Sequence, residues 1–108
     1  MAAGYLTQMD VATALPLVRE RIRAYNLMVG GENTETAGYH ESLTVFWLRV
    51  VGAHLAGLDA AMSRLDRVRS VVDAFGGRRD LFQSYWSFDV VKSVEARREW
   101  VPPDMIEL

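Results

Sequence analysis

The stretch from Tyr39 to Leu58, YHESLTVFWLRVVGAHLAGL, constrains the fold of this chain more than any other. It is the longest apolar-rich run, contains no proline and holds both histidines, His40 and His54. Leu43, Phe46, Trp47, Val50, Val51, His54, Leu55 and Leu58 recur at i, i+3, i+4, i+7 spacing, which is the period of one helix face. A strand would alternate instead. A run this long reaches across a bilayer in principle. His40, Glu41, Arg49 and His54, however, spread polar groups along it, and those are costly in lipid. The run therefore predicts a non-membrane helix over 39–58, apolar on most of its circumference and so mostly buried.

With 108 residues, the chain is expected to form a single domain over 1–108. A domain of this size buries roughly 60–70% of its unfolded surface, enough for one modest core. The absence of cysteine excludes disulfides and thiolate chemistry. MAAGYLTQMD has neither a basic start nor a long apolar stretch, so it is not a signal peptide, and the cytoplasm is the expected compartment. A net charge of −2 argues against a nucleic-acid partner.

The remaining segments read as helices packed around the central one. Ala2, Ala3, Tyr5 and Leu6 suit the end of a short helix that must dock on a neighbour. A second helix is predicted over about 11–28, capped by Asp10 or Thr13. Pro16 favours Thr13, because proline is best tolerated in a first turn. Leu15, Val18, Ile22 and Tyr25 form its apolar stripe, Arg19, Glu20 and Arg23 face water, and Gly30-Gly31 ends it. GENTETAG, residues 31–38, is a polar loop in which Thr34 or Thr36 could cap the central helix. It is either an exposed connector or a mobile lid beside His40.

A further amphipathic helix is expected over about 59–75, with Met62, Leu65, Val68, Val71 or Val72, and Phe75 on one side. Gly76-Gly77 stops it. Asp80 is placed to cap a short helix, and Ser87 or Ser93 to cap a last one that ends near Trp100. Pro102-Pro103 forces an extended tail lying along the surface. No segment alternates, so the fold class is all-α, a four- to five-helix array around residues 39–58.

Candidate chemistry is sparse. His40 and Glu41, at the start of the central helix, are the candidate acid–base pair. A histidine there is held neutral by the helix dipole and so can act as a base. Tyr39, Thr44, Trp47 and Tyr85 are the candidate ligand-binding residues, although aromatics at helical spacing more often form core. Two histidines fourteen residues apart on one helix are separated by about 21 Å along its axis and cannot share a metal. His54 therefore reads as a core or interface histidine. No zinc spacing, P-loop, dinucleotide glycine pattern or GxSxG is present, so neither a metal nor a cofactor is expected. Glu95 and Glu99, with Arg97 and Arg98 between them, read as a solvated face, and Arg78-Arg79 as a surface pair or a clamp for a phosphate or carboxylate.

Two segments, YHESLTVFWLRVV and SYWSFDVVKSVEARREWVPPDMIEL, resemble a family of small, largely uncharacterised bacterial all-helical proteins. In that family a YHET-type motif leads into an apolar-aromatic helix, and an EAR…W-type segment closes the chain. Tyr39, His40, Glu41, Thr44, Phe46 and Trp47 match the first motif. Tyr85, Ser87, Glu95, Ala96, Arg97, Trp100, Pro103 and Asp104 match the second. The likeness implies a helical fold and no particular activity. Family members carry a histidine-rich helix ahead of the part that matches Ala2 to Leu6. Relative to them this chain is expected to be shortened, or its start misassigned. Losing most of that helix should leave an apolar groove on the central helix, which is a partner-binding surface.

Two functions follow as expectations. The first is a non-catalytic helical binding module or accessory subunit that homodimerises or docks on a larger enzyme. The second is a small enzyme or small-molecule-binding protein with His40 and Glu41 in an aromatic pocket.

Overall fold

A computed structural model describes residues 5–108. Among these residues the fold is all-α. Four helices, α1 (Val11–Met28), α2 (Glu41–Ala56), α3 (Arg64–Phe75) and α4 (Val94–Arg98), are joined by loops and a 3-10 turn at Leu81–Ser84. No strand forms among the described residues. Each of the other three helices packs on α2, and they make little contact with one another. The arrangement is a hub with spokes rather than a bundle of equals.

The hub is buried because its apolar residues run round most of the helix. Ser42, Val45, Phe46, Leu48, Val51 and Leu55 are buried, and along α2 only Arg49, Ala53 and Ala56 are exposed. Three clusters form on it. Phe46 meets Trp86, Val90 and Ala96 on the α4 side. Leu48 meets Ala14 and Val18 of α1, with Tyr5 and Leu6 packed against them. Val51 and Leu55 meet Val71 of α3. Each large side chain so sequestered contributes roughly 1.5–3 kcal/mol of transfer free energy. Tyr5 and Leu6 are helical, whereas Ala2 and Ala3 lie outside the described residues.

Several helix ends differ from expectation. Asp10, not Thr13, caps α1, its carboxylate accepting from the Thr13 N–H at 2.8 Å. Pro16 thus falls inside the helix. It is tolerated because Ala12, whose carbonyl it leaves unpaired, is exposed to solvent. The apolar stripe of α1 is only half used: Val18 is buried and Ile22 half-buried, but Tyr25 is 57% exposed. Gly30 ends the helix in the left-handed region, at φ 83°.

α3 starts five residues later than its sequence pattern implies, at Arg64 rather than Asp59. Residues 59–63 instead form a turn. Asp59 accepts from the Ala61 N–H, and the Arg67 guanidinium donates to the carbonyls of Asp59, Ala60 and Met62. Ser63 is the cap. Leu65 and Val72, expected on the packed side, are exposed, because the helix turns Val71 and Phe75 toward α2.

The tail lies along the surface as its composition predicts. Trp86 Nε1 donates to the Val101 carbonyl, the Met105 N–H to the Tyr85 carbonyl, and the Ser87 backbone N–H and hydroxyl to the Asp104 carboxylate. Ser42, fully buried, receives the Val101 N–H and donates to the Glu99 carbonyl.

Candidate functional site

The candidate site is the junction where α1, the 31–40 loop, the start of α2 and α4 converge. Its centre is Tyr39, which is buried and belongs to the walls of two cavities.

The loop feeding the junction is tethered by one amide side chain. Asn33 Oδ1 accepts from Asn26 Nδ2 and from the Tyr39 N–H, while Asn33 Nδ2 donates to the Arg23 carbonyl. Gly38 lies at φ 85°, and a Cβ there would sit 1.8 Å from the Glu32 carbonyl oxygen, so only glycine fits. Thr34 caps no helix. Its hydroxyl oxygen accepts from the Thr36 and Ala37 N–H groups within the loop.

The cap of α2 is His40 itself. Its Nδ1 accepts from the Leu43 N–H at 3.1 Å. The ring proton must then sit on Nε2, which donates to the Val90 carbonyl at 2.7 Å. Both nitrogens are committed and the ring is buried. Burial holds its pKa below the ordinary histidine value, and the Arg97 charge pushes the same way. His40 is thus a neutral cap that also fastens α2 to the segment before α4.

Glu41 points the other way. Arg19 clasps it with two bonds, Nε to Oε1 at 2.9 Å and Nη2 to Oε2 at 2.6 Å. The Tyr39 hydroxyl donates to Oε1 at 2.5 Å. Burial acts to raise the Glu41 pKa, but the Arg19 and Tyr39 bonds and the Arg19 and Arg23 charges outweigh it and hold the carboxyl below its usual range. Burial, then the Glu41 bond, pushes the Tyr39 phenol up to about 12. Arg19 was expected to face water. It is instead drawn inward because Glu41, far away in sequence, offers two oxygens in the geometry a guanidinium matches.

On one side of Tyr39 an apolar recess of about 400 Å³ opens between α1 and α2. Val18, Ile22, Leu43, Trp47 and Leu48 supply its walls, with Tyr39, His40 and Thr44 at one end. This recess lies beside the start of the central helix, away from Tyr5 and Leu6. The fold brings four candidate residues together here: Tyr39, His40, Thr44 and Trp47. Tyr85 is not among them. It stands edge-on to Phe46 with ring centroids 4.8 Å apart, inside the α4-side core. The recess opens from the start of α2 toward α1, whereas Tyr85 packs on Phe46 beside Trp86, Val90 and Ala96.

On the other side of Tyr39 lies a cleft of about 440 Å³, lined by Arg19, Arg23, Arg97 and Arg98 together with Asn33, Thr34, Glu35 and Glu41. Arg97 is half-buried rather than fully solvated. Its guanidinium donates to the Gly38 and Val91 carbonyls at 2.8 and 3.0 Å and so locks the loop to α4. Sequence reading missed Arg19, Asn33 and Arg97. The one available signal was the i, i+4 pairing of Arg19 with Arg23 on α1.

Elsewhere, His54 packs between α2 and α3, 2.8 Å from the Ser70 hydroxyl and edge-on to Phe75. Among the described residues no three metal-ligating side chains converge, and no helix is long and apolar enough to cross a membrane. Comparison with protein-family models, with characterised proteins and with solved structures finds no match to this chain.

Proposed function

We propose that the protein is a non-catalytic helical binding module whose docking element is the α1–α2 recess together with the uncovered end of α1. The observation that carries this reading is the stripe Val18, Ile22, Tyr25, Val29. Its first two members line the recess. Its last two are 57% and 61% exposed. All four share one helix face by spacing. An amphipathic helix laid along such a stripe, with one apolar side chain in the recess, is a standard way to bury it.

The occupant is a helix of a second copy or of a larger protein. Native mass spectrometry and size-exclusion chromatography at micromolar concentration test it. A dimer, or a defined partner retained through purification, supports the reading, and Tyr25→Glu with Val29→Glu should abolish the association while leaving the monomer folded. A strictly monomeric chain with no such partner counts against it.

A second reading is favoured by Tyr39, His40, Thr44 and Trp47 lining one recess: the binding of a small apolar or aromatic molecule. Proton transfer is the weaker part of that reading, since both His40 nitrogens are engaged and Glu41 is ion-paired. Saturable displacement of the Thr44 and Trp47 NMR resonances by benzyl alcohol would support it, and unmoved resonances would remove it. The family likeness noted above adds no activity. Its motif residues Tyr39, His40, Glu41, Ser87, Arg97 and Asp104 are among those that tie loop, hub and tail together.

A further inference from the structure

We infer that the arginine cleft on the far side of Tyr39 is a binding site for a small molecule bearing a phosphate group. Four guanidinium groups, Arg19, Arg23, Arg97 and Arg98, line it against two carboxylates, Glu35 and Glu41. The cleft is thus two charges positive on a chain whose net charge is −2.

The four arginines are not equally spoken for. Arg19 is neutralised by Glu41. Arg97 is held by two carbonyls, which fix its direction and leave its charge uncompensated. Arg98 meets Glu35 only at 3.7 Å, with both side chains about two-thirds exposed, a pair of little strength. The Arg23 guanidinium makes no hydrogen bond or ion pair among the described residues, although its backbone carbonyl anchors Asn33.

The cleft therefore presents one guanidinium free of hydrogen bonds, one oriented but uncompensated one and one loosely paired one, on the walls of a cavity of about 440 Å³. Planar guanidinium forks match phosphate oxygens bidentately. A phosphate monoester is mostly dianionic at neutral pH, with its second pKa near about 6, and so offsets the two-charge excess, whereas a monocarboxylate offsets half of it.

An NMR titration of the isotope-labelled full chain with sodium phosphate, sodium acetate and sodium chloride at matched ionic strength tests the inference. Phosphate should shift the Arg23, Arg97 and Asn33 side-chain signals to saturation. Acetate should bind about tenfold more weakly or worse, and chloride should give no saturable shift. Arg23→Ala should weaken phosphate binding about tenfold, the loss of one charge-assisted bond. Its remaining spectrum should be unchanged, because Arg23 is exposed, and Arg23→Lys should recover part of the affinity. Equal, unsaturated shifts with all three salts would overturn the inference. So would acetate binding as tightly as phosphate, or Arg23→Ala binding like the parent. None of these outcomes bears on the α1–α2 docking surface, which uses other residues.

Discussion

Removing the His40 side chain is the most direct way to test how the junction is held. His40→Ala deletes an N-cap, worth about 1 kcal/mol. It also removes the shorter of two hydrogen bonds to the carbonyl of Val90, a residue only 2% exposed, and leaves that from the Ser93 N–H at 3.3 Å. Losing that bond while the acceptor keeps a second donor costs about 0.5–1.5 kcal/mol. Vacating the imbedded ring adds a cavity term of about 1 kcal/mol. The three together destabilise the fold by about 2.5–3.5 kcal/mol, a large part of the 5–15 kcal/mol typical of a domain. His40→Asn restores the capping acceptor and not the Val90 bond, so it should recover about 1 kcal/mol of that loss.

The same residue predicts a pH dependence. The folded-state pKa of His40 lies below 6.5, so between that lower value and 6.5 the unfolded chain binds more protons than the folded one. Stability from this group is then complete above 6.5 and declines as pH falls from there through the folded pKa. Urea unfolding followed by tryptophan fluorescence, at about pH 7.5 and about pH 5.5, measures both effects. A cost below about 1 kcal/mol for His40→Ala, or a slope in this window that persists unchanged in His40→Asn, would refute the assignment of His40 as a buried neutral cap.

Two glycines with nearly the same positive φ should respond differently to alanine. Gly30→Ala, at φ 83° with nothing near the added carbon, should cost about 1–2 kcal/mol, whereas Gly38→Ala, 1.8 Å from a carbonyl oxygen, should cost clearly more. Thermal unfolding of the pair checks this. Arg19→Ala strips Glu41 of two bonds and should destabilise by about 1–2 kcal/mol, discounted because Arg19 is partly exposed. A matching loss in Glu41→Gln and a double-mutant cycle would isolate the pair. Tyr39 should titrate near about 12 by ultraviolet difference spectroscopy. Glu41→Gln should lower that value without returning it to normal, since burial is the larger cause.

Much of the architecture was legible because helix period, caps and stops are local. The hub, the stop at Gly30, the cap at Ser93 and the course of the tail all follow from residues within a few positions of one another. The errors fell where a partner farther along the chain decided, or where two nearby residues competed for one cap. Asp59 looked like the start of α3 until Arg67 drew the preceding carbonyls into a turn. Thr34 and Thr36 looked like caps until the ring nitrogen of His40 took that place. Tyr85 looked like a pocket wall until Phe46 claimed it for the core.

From the order of residues alone come an all-helical chain, its central rod and the sites where each helix breaks, because periodicity and backbone preference act over one or two turns. Which face of α1 stays bare, which way Glu41 and His40 diverge around Tyr39, and how four arginines from two helices come to share one cleft were decided only when α1, α2 and α4 packed. Those contacts join positions up to 59 residues apart, and no short-range rule carries information over that separation.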